Sequence, residues 1–246
     1  MGNFDFQAII NAWPFLMDGL WFSVRLTAFA FAGGLVLGIG LALVRHLQVP
    51  ILNPIVGGYI TLMRSIPLIL VLFWFFFLIP LVLAYFSKSG RPVPIGPTYT
   101  AFITFTLFEA AYYAEIIRTG LRSIDKGQYE ASRALGLSTR KMYQLVILPQ
   151  VIKAAGPIIL TQTIILFQDT SLVYVMSITD LLGAAVKVAQ RDSKLIEIYL
   201  ATAVIYLVIC SAAAELVAYL RSRKDVTQKR VRPPRSKRRA PAIKNT

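Results

Sequence analysis

Long runs of apolar residues constrain the fold of this chain more than any other feature of its sequence. A helix that crosses the roughly 30 Å hydrocarbon core of a bilayer needs about 20 consecutive, mainly apolar residues. Several stretches reach that length, and 56% of the 246 residues are hydrophobic. Inside lipid, backbone polar groups must be paired within the segment, so such stretches are expected to be helices. The sequence therefore predicts an all-α, polytopic integral membrane helical bundle.

Five stretches are predicted to cross the membrane: 19–44, 55–83, 99–118, 154–176 and 196–220. Residues 1–18 are expected to form a short amphipathic segment on the membrane surface, because Phe4, Phe6, Ile9, Ile10 and Trp13 are spaced along it. This segment has no basic region and carries Asp5 and Asp18, which argues against a cleavable signal peptide.

The distribution of positive charge predicts how the chain is oriented. With five spans, one side of the membrane receives nineteen Lys and Arg residues and the other receives five. Cytoplasmic loops carry the excess of Lys and Arg in membrane proteins. The loop 119–153 and the C-terminus are therefore expected to be cytoplasmic, and the N-terminus to lie on the opposite side.

The net charge of +14 comes mainly from the C-terminal tail. From Arg221 onward there are eleven Lys and Arg residues and one acid, Asp225. Residues 223–246 are predicted to be disordered because they are basic, rich in Pro and poor in large apolar residues. This pattern favours attraction to anionic membrane lipid, with nucleic acid or a specific protein partner as alternatives.

A polar segment, GQYEASRALGLSTRKMYQLVILPQ (127–150), separates two of the apolar stretches. A first helix is predicted over 128–135, and Gly136 is placed where a left-handed residue ends a helix. Ser138 or Thr139 is expected to cap a second helix. Met142, Leu145 and Val146 are expected to form one apolar stripe on it, and Pro149 to end it. A rigid hairpin of this kind is suited to be moved by another subunit.

Two further features lie inside the predicted spans. Pro67 predicts a kink near Ser65, which is either a tolerated distortion or part of a gate. Charged side chains inside a membrane are costly unless they are paired or line a wet cavity. Arg64, Glu109 and Asp169 either form a network between helices or line a translocation path. Gln162, Gln168 and Thr170 supply further polar groups, so that both charges of an amino acid could be bound.

The sequence carries no pattern of a catalytic or metal site. Cys210 is the single cysteine, and the lone His46 is expected to be a solvated loop residue. The chain has no G-x-x-x-x-G-K-[ST] loop, so any ATP would be hydrolysed by a partner. No cofactor is expected.

The hairpin resembles a known signature. Glu130-Ala131, then Gly136, then Val146-Ile147-Leu148-Pro149 are similar to the EAA motif of permease subunits in binding-protein-dependent ABC importers. Ser132 and Val146 depart from it by small changes of volume. YITLMRSIPLIL, FEAAYYAEIIRTGLRSIDKGQ and FQDTSLVYVMSITDLL resemble the polar-amino-acid permeases, in particular the glutamate/aspartate type.

The resemblance implies a type I ABC importer transmembrane-domain fold over residues 19–222 in a bacterial inner membrane. It implies that a cytoplasmic coupling loop, about 119–153, docks on an ATPase. The residues it assigns to coupling are Glu130, Ala131, Ser132, Gly136, Val146, Leu148 and Pro149. Expected partners are two ATPase copies, a second permease chain that is similar but distinct, and a periplasmic amino-acid-binding protein. An ion-coupled secondary transporter and a membrane enzyme are the alternatives; no internal repeat or catalytic motif favours either.

Overall fold

The computed structural model describes residues 5–86 and 95–231, with side chains through Ser222, and all regular elements of this part are helical. The α-helices are α1 Phe6–His46, α2 Leu52–Ser65, α3 Leu68–Phe73, α4 Ile79–Phe86, α5 Pro97–Arg122, α6 Lys126–Ala134, α7 Thr139–Met142, α8 Leu148–Asp169, α9 Leu181–Asp192 and α10 Leu195–Val231. A π-helical turn, Trp74–Leu78, joins α3 to α4, and a second, Tyr143–Ile147, joins α7 to α8. A 3-10 segment, Thr170–Met176, follows α8.

Among the described residues, four helical segments are long and apolar enough to cross a membrane: Phe6–His46, Leu68–Phe86, Thr139–Met176 and Leu195–Ser222. The all-α prediction is confirmed, whereas the count of five spans stays a prediction. The remaining candidate, α5, has 26 residues, which is enough for a span. This helix is buried among the other helices, and its polar residues, such as Thr104 and Glu109, do not face lipid.

The close contact between α1 and α5 depends on a stripe of small residues. Ala30, Gly34, Gly38 and Ala42 follow one another every four residues on α1, and all four are buried. A Cβ atom added at Gly38 would lie 2.9 Å from the Cβ atom of Tyr113. Small residues permit this approach of two backbones inside a membrane, where packing rather than water drives helix association.

We expect Gly38→Leu to separate α1 from α5 and to lower the stability of the purified permease by about 1–3 kcal/mol, the usual cost of overpacking. The matched control is Gly40→Leu on the same helix, since a Cβ atom at Gly40 meets nothing within 4 Å. Thermal unfolding in detergent measures the difference. Equal melting temperatures for the two variants would contradict the assignment of this stripe to the α1–α5 contact.

The interruption near Pro67 is a complete break between helices. α2 ends at Ser65, Ile66 is extended with φ −113° and ψ 137°, and α3 begins at Leu68. Proline disfavours a helical conformation in the residue before it, which explains the extended Ile66. The predicted kink is confirmed, and the apolar segment of the second predicted span begins at Leu68 rather than at residue 55.

The first and the last helices of the described part are longer than the spans predicted from the sequence. α1 is continuous from Phe6 through Pro14, so the predicted segment 1–18 shows no break from the span, and its location on the membrane surface stays a prediction. Asp5 caps this helix by accepting from the N–H of Ala8 at 3.2 Å. At the other end, α10 reaches Val231, within the tail predicted to be disordered. Residues 1–4, 87–94 and 232–246 lie outside the described part.

Helix α9 is held against α1 and α10 by a buried capping residue. Asp180 is the N-cap of α9, and its carboxylate accepts from the N–H groups of Leu182 at 3.1 Å and Gly183 at 2.9 Å. Ser23 of α1 accepts from the N–H of Leu181 at 3.2 Å. A Cβ atom at Gly19 would lie only 2.5 Å from the Asp180 carbonyl oxygen, so only glycine fits there.

Burial raises the pKa of Asp180 to about 6, against an ordinary value of 3.8, although the backbone N–H groups oppose the shift. A carboxyl group that binds its proton more tightly when folded stabilises the fold below the unfolded pKa, and this stabilisation is lost as pH rises through the folded pKa. We therefore expect the melting temperature to fall between pH 4 and pH 7, with Asp180 contributing on the order of 3 kcal/mol.

The Asp180→Asn variant is expected to flatten this part of the pH profile of the melting temperature. At the other end of α9, the Arg191 guanidinium lowers the pKa of Asp192, whose contribution to stability therefore changes only below its ordinary pKa of 3.8, so Asp192→Asn is the control that is expected to leave the profile between pH 4 and pH 7 unchanged. If Asp180→Asn and the parent protein had parallel profiles, the buried carboxyl group would not be the cause.

Candidate functional site

The segment between α5 and α8 forms the helical hairpin that the sequence predicts. Asp125 caps α6 by accepting from the N–H of Gly127 at 2.6 Å. α6 ends at Ala134, and Gly136 has a left-handed φ of 72°. The N–H of Leu137 donates to the Ser132 carbonyl at 3.1 Å, the bond that closes a Schellman motif. The helix end predicted at Gly136 is confirmed.

The second half of the hairpin differs from the prediction. Ser138 caps α7 as expected, by accepting from the N–H of Lys141 at 3.4 Å. Pro149 does not end this helix: α7 runs through the π-helical turn into α8. In that turn the N–H of Leu148 donates to the Tyr143 carbonyl, five residues earlier. Pro149 has no N–H group to donate to the preceding helical turn. The π-helical turn changes the hydrogen-bonding register directly before Pro149, and the chain therefore stays helical.

The π-helical turn also divides the predicted apolar stripe. Met142 and Ile147 are buried in a small core with Leu121 of α5 and Val151 of α8. Leu145 is 67% exposed, so the expected single stripe of Met142, Leu145 and Val146 is wrong. The stripe assumed α-helical spacing, and the π turn adds a residue to that spacing. The hairpin is thereby fixed on its inner side and keeps apolar groups on its outer side.

The predicted coupling residues differ in their accessibility. The side chains of Glu130, Ala131, Leu148 and Pro149 are exposed, as is Gly136. Ser132 is buried and its hydroxyl group donates to the Gln128 carbonyl at 2.6 Å, so its side chain faces the inside of the hairpin and does not reach the surface. Val146 is half-buried. Leu135, which the motif does not include, is 79% exposed beside Gly136.

A contact that the sequence did not reveal joins the end of α1 to the hairpin. His46 is half-buried, and its Nε2 atom lies 2.9 Å from the Tyr143 hydroxyl group. The Tyr143 ring in turn meets the Tyr129 ring edge to face at 6.3 Å. The expectation that His46 is a solvated loop residue is wrong, because His46 ends α1 and contacts Tyr143. The sequence pattern did not reveal this contact, since 97 residues of chain separate the two side chains.

A second cluster of polar residues lies within the helical bundle. Glu109 of α5 is 1% exposed, and its Oε1 atom accepts from Gln162 Nε2 of α8 at 3.2 Å. Within the described residues its other oxygen, Oε2, has no hydrogen-bond partner. Close by, the hydroxyl groups of Tyr113 and Thr163 lie 3.2 Å apart. α5 and α8 are thus joined through polar side chains.

Arg64 completes this cluster from α2. Its guanidinium carbon lies 5.6 Å from the centre of the Tyr112 ring, a cation–π contact, and its side chain is otherwise exposed. In the described part of the chain Arg64 forms no ion pair with Glu109 or Asp169, which the network alternative required. Tyr112 was not predicted, although it follows Glu109 by three residues on one helix face.

The remaining predicted residues of the path separate into two groups. Gln168 is exposed and Asp169 is half-buried at the end of α8. Thr170 is fully buried, and its hydroxyl group donates to the Phe167 carbonyl at 2.7 Å. Thr170 therefore faces the interior of the bundle, whereas Gln162 is hydrogen-bonded to Glu109 and Arg64 lies over the Tyr112 ring.

Comparison with known proteins agrees with this arrangement of a helical bundle and a polar hairpin. Residues 34–226 match the family described as the binding-protein-dependent transport system inner membrane component. The chain belongs to this family. It is a multi-pass inner-membrane permease subunit of an ABC importer, and ATP hydrolysis takes place in a separate subunit.

Several curated relatives cover nearly the whole chain. The glutamate/aspartate import permease protein GltK of Escherichia coli O6:H1 is 39% identical over 223 residues, which is 91% of this chain and 99% of GltK. The L-cystine transport system permease protein TcyB of Bacillus subtilis is 33% identical over 199 residues, 80% of this chain and 81% of TcyB.

Solved structures show the same fold. One chain in the crystal structure of an amino acid ABC transporter with histidines is 26% identical to this chain and aligns with it at a TM-score of 0.80. The alignment covers 90% of this chain and 100% of that chain. The inward-facing MetNI methionine ABC transporter has a chain of 19% identity and a TM-score of 0.63, covering 83% and 95%. The type I importer fold is therefore confirmed.

Proposed function

We propose that this permease forms the translocation path for an acidic amino acid, glutamate or aspartate. The identity to GltK over nearly the full length of both chains is the main support. The chemistry of the bundle agrees with it, because Arg64 offers a guanidinium group that pairs with a carboxylate through two hydrogen bonds. Glu109, Gln162 and Asp169 offer acceptors for an α-ammonium group.

The exposed position of Arg64 suits this role. A guanidinium group that is held on an aromatic ring without a carboxylate partner keeps its hydrogen-bond donors free for a substrate. Pro67, three residues further along, lies at the break between α2 and α3: Ile66 before it is extended, and the Pro67 carbonyl accepts from the N–H groups of Leu70 and Val71 in the first turn of α3. In this proposal the break serves as the gate beside the path.

The hairpin of α6 and α7 is proposed to dock on the ATPase. Glu130, Ala131 and Gly136 are exposed near its tip, and Leu135 adds a large apolar surface there. Leu148 and Pro149 lie where the hairpin joins α8, so a push on the tip is transmitted to a membrane-spanning helix. Ser132 and Val146 support this arrangement from inside.

The assembly is proposed to contain two ATPase copies, a second permease chain that is similar but distinct, and a periplasmic amino-acid-binding protein. The excess of positive charge on the hairpin side supports a cytoplasmic hairpin and C-terminus and a periplasmic N-terminus. The hairpin docks on the ATPase from that side.

Purification of the tagged chain from native membranes in mild detergent, followed by mass spectrometry, tests the assembly. A stoichiometric ATPase together with a second permease is expected. Uptake of labelled glutamate and aspartate by the reconstituted complex, compared with a basic amino acid, tests the substrate. Recovery of the chain without an ATPase, even after crosslinking at Glu130, would instead favour ion-coupled transport.

A further inference from the structure

An apolar groove between the helices contains none of the residues that are proposed to line the translocation path. It lies between α1, α8 and α10, has a volume of about 380 Å³, and is lined by residues such as Phe31, Leu160, Ile164, Ile209 and Leu216. Its two threonines, Thr27 and Thr163, donate to carbonyl groups of their own helices. The groove therefore presents hydrocarbon rather than unpaired polar atoms.

The length of the groove matches one leaflet of a bilayer. Along α10 it runs from Ile209 to Leu220, about 16 Å at the helical rise of 1.5 Å per residue. Half of a hydrocarbon core is about 15 Å thick. The groove begins near the middle of α10 and ends where the apolar sequence ends, so a single acyl chain fits along it.

Positive charges stand at that same end. Arg221 follows Leu220 directly and is exposed. On α8, Lys153 precedes Leu160 by seven residues, or two helical turns, and so lies on the same helix face. Lys153 is exposed and has no ion-pair partner in the part of the chain that the structure describes. Two cations on two lining helices thus flank the end of an apolar groove.

We propose that this groove is a binding site for an anionic phospholipid of the cytoplasmic leaflet. One acyl chain lies between α1, α8 and α10, and Lys153 and Arg221 bind the phosphate and the anionic headgroup. The assignment to the cytoplasmic leaflet rests on the proposed orientation of the chain. The basic sequence after Arg221 raises the local concentration of anionic lipid at this end.

The test uses the assembled importer in nanodiscs with equal amounts of phosphatidylglycerol and phosphatidylethanolamine. Each lipid is supplied in turn with a photoreactive acyl chain, and labelled peptides are identified by mass spectrometry. The phosphatidylglycerol probe is expected to label residues 209–220 of α10 more strongly than the phosphatidylethanolamine probe. Removing the charges with Lys153→Gln and Arg221→Gln is expected to lower this labelling about fivefold for each charge. Lys153→Arg with Arg221→Lys retains it.

The acyl-chain position is tested separately by filling the groove. Ala213→Trp places a large ring among the residues that line the groove and is expected to suppress the labelling. The control is Ala214→Trp, because Ala214 is exposed and does not line the groove, and this variant is expected to leave the labelling unchanged. Equal labelling by both lipids, or unchanged labelling in Ala213→Trp, would overturn the proposal. So would photoreactive crosslinks from residue 213 to a partner permease, which would make the groove a protein interface. The lipid readout does not depend on which amino acid is transported.

Discussion

Gly136→Asp and Glu130→Lys are expected to abolish uptake while the permease remains folded in the membrane. A Cβ atom at Gly136 meets nothing within 4 Å, and Asp tolerates the left-handed conformation better than most residues. The hairpin should therefore keep its structure and present an unwanted charge at its tip. Glu130 is exposed, so its charge reversal also changes the docking surface rather than the core.

Uptake into proteoliposomes, copurification of the ATPase and the amount of permease in the membrane are measured together. Gly136→Asn is the matched variant, because it has the same size and backbone tolerance as Asp without the charge. Glu197→Lys, a charge reversal at the start of α10, controls for the change in net charge. Normal uptake in Gly136→Asp or Glu130→Lys would refute the coupling role of the hairpin.

Arg64→Gln is expected to reduce uptake of acidic amino acids by about 10- to 150-fold, the range that corresponds to a charged hydrogen bond of roughly 1.5–3 kcal/mol. The variant removes the guanidinium group over Tyr112 but leaves the buried contacts of α2 in place. Arg64→Lys retains the charge without the planar fork and should give an intermediate rate.

Arg25→Gln is the control for this experiment. Arg25 is also an exposed arginine in a membrane-spanning helix over an aromatic ring, with its guanidinium carbon 5.9 Å from the centre of Phe22. Uptake is divided by the amount of permease in the membrane. If Arg64→Gln reduced both quantities in proportion, Arg64 would stabilise the bundle and would not bind substrate.

The features that the sequence predicted correctly depend on neighbouring residues in the chain. The turn at Gly136, the cap at Ser138 and the break before Pro67 each follow from the backbone preferences of one or two residues. Such local preferences are expressed in almost any tertiary context.

The features that were missed depend on residues far apart in the chain. His46 contacts Tyr143, and Glu109 contacts Gln162, only because the helices place them opposite each other. Thr170 is polar, as a residue of the translocation path is expected to be, but helix packing buries it. The π-helical turn at Tyr143–Ile147 likewise shifted Leu145 outward and kept the helix continuous through Pro149.

The sequence by itself determined that this protein is a bundle of membrane helices with a polar hairpin of EAA type, because apolar length, charge bias and turn residues are local properties. Only the folded structure reveals that Glu109 meets Gln162 and which apolar residues remain exposed on the hairpin and along the α1–α8–α10 groove. Those properties depend on the contacts between helices, such as the close approach at Gly38 of α1 and Tyr113 of α5, and a one-dimensional pattern does not specify them.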